Sequence, residues 1–144
     1  WIKKQILVPL EQILDLLQQL QAELNLAVII VTHDLGVVAE VCDDVLVMYG
    51  GRMAEYADAD AVFNQSVHPY TKRLLAAFPD INAPRSELAS IPGHPPPLND
   101  LPLGCRFEPR CGVGGEKCTR ENPEIIEVAP GHYCSCLLAR PEKR

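Results

Sequence analysis

The feature that most constrains what this chain can fold into is an unbroken apolar run, Leu26-Ala27-Val28-Ile29-Ile30-Val31, closed by Thr32-His33-Asp34. A strand with one face in water alternates polar and apolar residues, and this run does not. It reads as a strand covered on both faces, the environment of a parallel sheet. Upstream, Ile13, Leu14, Leu16, Leu17, Leu20 and Leu24 recur at helical spacing, which predicts an amphipathic helix with one buried face. Asn25 is a suitable stop for that helix. Downstream, Asp34 is placed to cap a short helix through Val37, Val38 and Val41. Val45-Leu46-Val47-Met48 reads as a second buried strand, Gly50-Gly51 as a tight turn, and Arg52 to Tyr56 as a returning strand. Ala59–Phe63 and Pro69–Phe78 read as two short helices, the second opened by proline. This order is the end of an α/β sheet domain rather than a whole one.

Composition narrows the function classes. The chain has 144 residues and a net charge of −6. No apolar stretch approaches the roughly 20 residues that a membrane-spanning helix needs. The negative charge and the lack of a basic stripe argue against nucleic acid as a partner. A division is expected at 78/79, with residues 1–78 as the incomplete α/β part and 79–144 as a proline-rich, cysteine-containing irregular extension. Ile91-Pro92-Gly93-His94-Pro95-Pro96-Pro97-Leu98 excludes helix. Ile91, Leu98, Leu101 and Leu103 give that stretch something to dock with, and His94 faces solvent. A doubly wound sheet needs more strands than these. A preceding portion, an associated protein or a second copy of the chain would cover the open sheet edge.

His33 stands at the carboxyl end of the predicted strand, where open α/β sheets gather functional groups. A neutral imidazole there can exchange one hydrogen bond with a phosphate oxygen or a water. Leu26 to Leu35 resembles the switch-histidine segment of ABC transporter ATPases. Asp43-Asp44-Val45-Leu46-Val47-Met48-Tyr49-Gly50-Gly51-Arg52 is similar to the strand and turn that follow it in that family. His68-Pro69-Tyr70-Thr71-Lys72-Arg73-Leu74-Leu75 resembles the segment that closes the nucleotide-binding domain of the oligopeptide, dipeptide and nickel importers. The resemblance implies a C-terminal portion of a P-loop ATPase domain, with His33 contacting the γ-phosphate of ATP, and ATP and Mg²⁺ as ligands of a parent subunit. The Gly-rich phosphate loop, the signature motif and the acidic Walker B end are absent, and Ile6-Leu7-Val8-Pro9-Leu10 carries no acidic residue for the last. The chain by itself is therefore expected not to hydrolyse ATP.

The chain holds six cysteines, five of them in the tail: Cys105, Cys111, Cys118, Cys134 and Cys136. Their spacing matches neither a zinc ribbon nor the usual ferredoxin runs. Spacing leaves disulfides, zinc, free thiols and an iron–sulfur centre all open. Arg106, Arg110, Lys117 and Arg120 are expected to favour the thiolate. Ile91-Pro92-Gly93, Gly104-Cys105 through Cys111, Cys118 and Pro130-Gly131-His132 look like the C-terminal extension of peptide-importer ATPase subunits. That resemblance implies a [4Fe–4S] cluster on Cys105, Cys111, Cys118 and Cys136, with Cys134 able to substitute and zinc as the other occupant. Where that family commonly has proline after its second cysteine, this chain has Gly112. The family's activity is ATP hydrolysis driving uptake of peptides or similar small solutes. Its partners are membrane permease subunits, a second ATPase subunit and a solute-binding protein, at the cytoplasmic face of the plasma (inner) membrane. Two other readings are a freestanding metal or iron–sulfur module and a regulatory domain that binds a partner.

Overall fold

The computed structural model describes residues 10–77 and 91–141. The stretch Ile6–Val8 and the division at 78/79 lie outside the described residues. Two compact units emerge, residues 1–42 and 43–144.

The first unit carries α1 (Leu10–Leu24) and α2 (Leu35–Val41). Asn25 ends α1 in the left-handed region at φ 50°, as its residue type suggested. The Asp34 carboxylate accepts the N–H groups of Gly36 and Val37 at 2.9 and 3.3 Å, which caps α2 as expected. The predicted strand over Leu26–Val31 does not form: the segment pairs with no strand among the described residues. Ile29 is 92% and Val31 95% exposed. A strand apolar on both faces needs a neighbour on each edge and a layer on each face, and among the described residues no strand pairs with this segment. The stripe of α1 is uncovered for the same reason. Leu14 is buried, but Ile13, Leu16, Leu17, Leu20 and Leu24 are exposed.

The second unit is a four-stranded antiparallel sheet in the order β1 (Asp44–Tyr49), β2 (Arg52–Asp58), β4 (His132–Cys134), β3 (Ile126–Ala129). The parallel sheet implied by the apolar runs is replaced by this one. The β1 strand is covered on one face only: Val45, Val47 and Tyr49 are buried, whereas Leu46 and Met48 face out. The turn at Gly50-Gly51 forms as read, with φ 56° and 79°. Helices α3 (Ala59–Gln65) and α4 (Pro69–Ala76) follow. The tail adds α5 (Glu108–Cys111), α6 (Glu116–Arg120) and the β3–β4 hairpin, whose turn is Pro130-Gly131. The hairpin pairs β4 with β2, so the sheet joins residues from both sides of the compositional division.

Phe107 is the seat of the tail on this sheet. It is almost fully buried and meets Tyr49 edge-on at 5.0 Å and Tyr70 at 5.3 Å between ring centroids. Such pairs add about 0.5–1.5 kcal/mol beyond the area they bury. Of the residues expected to dock the proline-rich stretch, Ile91 and Leu101 are half-buried, whereas Leu98 is 72% and Leu103 88% exposed. The stretch is held by backbone, because Arg110 donates to the Pro92 carbonyl at 2.9 Å and the Ile91 carbonyl at 3.0 Å. His94 is exposed, in line with its reading.

Candidate functional site

Four of the tail thiols are placed by local structure. Cys105 follows Gly104, and its N–H donates to the Cys118 carbonyl at 2.8 Å. A Cβ on Gly104 would overlap that same carbonyl, so only glycine admits the approach. Cys111 is the last residue of α5, and Gly112 ends the helix at φ 69°. A proline, fixed near −65°, cannot take that conformation, which accounts for this chain's departure from the pattern expected there. Cys118 sits on α6 and is buried. Cys136 follows β4, positioned by the Ser135 N–H donating to the Ala54 carbonyl at 2.9 Å.

The sulfur environments of Cys105 and Cys136 match each other. The Glu108 N–H donates to the Cys105 carbonyl at 3.0 Å and the Ala139 N–H to the Cys136 carbonyl at 3.1 Å, so each cysteine opens a turn whose amides lie beside its thiol. Burial pushes both thiols up, the amide donors pull them down, and neighbouring cysteine charges push them up again. Cys136 thus senses the charge of Cys111 and Cys118, and Cys105 that of Cys111 and Cys136. The expected lowering by nearby cations does not occur at Cys105 or Cys136. Arg110 spends its guanidinium on the Ile91 and Pro92 carbonyls and the Tyr49 hydroxyl, and Arg106 reaches the Gly50 carbonyl. Lys117 and Arg120 pair with Glu121 and Glu116 on the surface.

Cys134 belongs to a different environment. It is buried within β4, directly opposite Glu55 of β2. Burial and the Glu55 carboxylate push its thiol far above the ordinary range. None of the five tail cysteines is in a disulfide. Among the described residues, no group of three or more His, Cys, Asp or Glu side chains is disposed to hold a single metal ion.

Sequence reasoning missed Glu55. It is 0% exposed, a carboxylate in the middle of the sheet. Its Oε1 accepts the Val67 N–H at 2.6 Å and His132 Nε2 at 2.7 Å, and its Oε2 accepts the His68 N–H at 3.2 Å. His68 in turn caps α4 by accepting the Tyr70 N–H on Nδ1 at 3.0 Å. Burial lowers the proton affinity of His68, against the opposing pull of Glu55. The only signal in sequence was His132 itself, one residue after a Pro-Gly turn and flanked by strand-forming residues.

His33 lies in the first unit, exposed, between Thr32, whose hydroxyl accepts the Asp34 N–H at 3.0 Å, and the capping Asp34. The cysteines lie in the second unit.

Fold and site together define an α/β protein with a small antiparallel sheet and a cysteine-bearing tail hairpin. Residues 54–118 match the family described as "Oligopeptide/dipeptide transporter, C-terminal region". The chain is 49% identical over 126 residues to the oligopeptide transport ATP-binding protein OppD of Salmonella typhimurium, covering 88% of this chain and 37% of that one. It is 41% identical over 125 residues to the dipeptide transport ATP-binding protein DppD of Escherichia coli, covering 87% and 38%. It is 39% identical over 131 residues to the oligopeptide transport ATP-binding protein AppD of Bacillus subtilis, covering 91% and 40%. The chain belongs to this family of ATP-binding subunits and corresponds to their C-terminal region. It spans less than half the length of these relatives. The similarity runs through both units, which disfavours a freestanding metal module. No helix among the described residues is long and apolar enough to cross a membrane.

Proposed function

We propose that this chain is part of an ATP-binding subunit that couples ATP hydrolysis to uptake of peptides or similar small solutes. The observation that carries the reading is the match over nearly nine-tenths of the chain to oligopeptide and dipeptide transport ATP-binding proteins. The partners in this reading are membrane permease subunits, a second ATPase subunit and a solute-binding protein, with the subunit peripheral on the cytoplasmic face of the membrane. ATP and Mg²⁺ are ligands of the whole subunit. His33 is the γ-phosphate contact, and in a P-loop domain the segment before it leads that histidine to the nucleotide. Phosphoryl transfer depends mostly on positioning and charge stabilisation, which suits an imidazole held between a hydroxyl-anchored turn and a capped helix. The test is turnover of the whole subunit in its transporter. His33→Ala should lower kcat by at least about tenfold, within the range for one positioned catalytic group. Unchanged kcat would remove the role.

The second half of the proposal assigns Cys105, Cys111, Cys118 and Cys136 to a [4Fe–4S] cluster. Three features support it: the Cys105 N–H on the Cys118 carbonyl, which joins two of these loops, the turns that open at Cys105 and Cys136, and the seat of Cys134 inside the sheet opposite Glu55. Zinc in the same four thiolates is the other occupant of this reading. When bound, such a group would cross-link α5, α6 and the end of β4, stapling a segment with little core of its own. Anaerobic purification followed by an absorption spectrum and iron, sulfide and zinc analysis tests this. Four irons and a broad visible band are expected; a colourless protein with one zinc per chain would overturn it.

A further inference from the structure

We propose that Glu55 is a positioning residue for the cysteine site: one buried carboxylate sets where both Cys136 and Cys111 stand. The inference rests on the four-cysteine assignment above and concerns residues outside that set.

Two routes leave the carboxylate. The first runs through His132 into β4. Only two residue pairs, Glu55↔Cys134 and Tyr56↔Tyr133, hold β4 to β2. So short a pairing is weakly specified by its backbone bonds, and a slip of one residue would turn its side chains to the other face. The contact between Glu55 Oε1 and His132 Nε2, at 2.7 Å, is lost when β4 slips by one residue, because His132 then turns to the other face. With that register set, Ser135 reaches the Ala54 carbonyl and Cys136 follows directly, its own carbonyl accepting the Ala139 N–H.

The second route runs through the Val67–His68 turn, whose two N–H groups the carboxylate accepts. That turn starts α4, and α4 carries Arg73, whose Nη1 donates to the Arg110 carbonyl at 2.7 Å. Cys111 is the next residue. The helix bearing one ligand and the strand leading to another are thus referred to the same two oxygens.

The carboxylate serves the Val67 and His68 N–H groups as well as His132, so an apolar exchange at both residues removes both routes at once. A buried polar contact of this kind can fix one register among several, and here the Glu55–His132 contact is the one that does so. This also separates the proposal from a purely structural role. The double variant Glu55→Leu with His132→Leu fills the same space without a register-specific contact. His132→Gln keeps a donor aimed at Glu55.

The experiment uses the full chain with two readouts. One is iron bound per chain after anaerobic reconstitution with ferrous iron and sulfide. The other is the rate at which N-ethylmaleimide alkylates Cys136 in the metal-free protein, mapped by mass spectrometry against Cys105. The double variant should melt cooperatively, bind iron roughly tenfold more weakly, and alkylate at Cys136 roughly tenfold faster with Cys105 unchanged, the scale of a lost ligand-orienting partner. His132→Gln should stay near wild type in both. If the double variant melts too low to assay, the nearly isosteric Glu55→Gln is read in its place. A folded variant with wild-type iron content and wild-type Cys136 reactivity overturns the proposal. If the wild type takes up no iron while the Cys136 contrast holds, the cluster assignment falls and the positioning stands.

Discussion

The two units of this molecule handle apolar surface in opposite ways. In residues 43–141, β1 buries alternate residues and Phe107 fills the space between Tyr49 and Tyr70. In residues 10–42, the apolar stretch Leu26–Val31 is largely exposed, with Ile29 and Val31 almost wholly in solvent. Hydrophobic composition says how much a segment has to bury; whether it does so depends on which elements are there to receive it. The second unit carries its own receivers, because the tail returns to add β3 and β4 to the edge of β2.

Four measurements would break or sharpen that contrast, given from the largest effect to the smallest. Glu55→Ala leaves His132 and two buried N–H groups without their acceptor, and thermal or denaturant unfolding of the second unit should show a loss of about 3–5 kcal/mol. An effect under about 1 kcal/mol would mean that water serves the site equally well. Gly104→Ala pushes a methyl group into the Cys118 carbonyl and should cost about 1–3 kcal/mol by the same assay. Wild-type stability would show the loop to be looser than described.

The third measurement is pH dependence. Burial sets the folded His68 below its ordinary 6.5, so the unfolded chain takes up that proton first as pH falls. Its contribution is therefore fully present above about pH 6.5 and lost as the pH falls through the folded value. His68→Asn keeps a side chain able to cap α4 and should flatten this acid limb in a melting-temperature series. An unchanged slope would assign the limb to other groups. The smallest effect belongs to the first unit: Ile29→Asp or Val31→Asp should change stability by no more than about 0.5 kcal/mol. A larger loss would reveal a partner for that segment.

In both units much was legible in sequence where the cues are local. The Asp34 cap, the Asn25 stop, the Gly50-Gly51 turn and the proline opening of α4 each need only a few neighbouring residues. What failed depends on distance. The strand predicted over Leu26–Val31 rested on an inferred environment, and that environment has to come from other strands. The β3–β4 hairpin was missed because four- and three-residue strands carry little periodicity. Glu55 was invisible because its acceptor role depends on His132, 77 residues further along, and an isolated Glu in a strand reads as solvent-facing. The four-cysteine set was legible as residue types, and their shared surroundings came only with the folded loops.

One feature also bears on how such chains can diverge. Arg110 grips the backbone at Ile91 and Pro92, while Arg73, one turn before the end of α4, grips the carbonyl of Arg110. Both ends of the connection from α4 to the tail are thereby fastened near one guanidinium, whatever lies between them. Doubling a connection fixed at both ends costs only about 0.6 kcal/mol of closure entropy. Homologues should accordingly differ freely in the number of residues between positions 77 and 91, and hold an arginine at position 110 while they do.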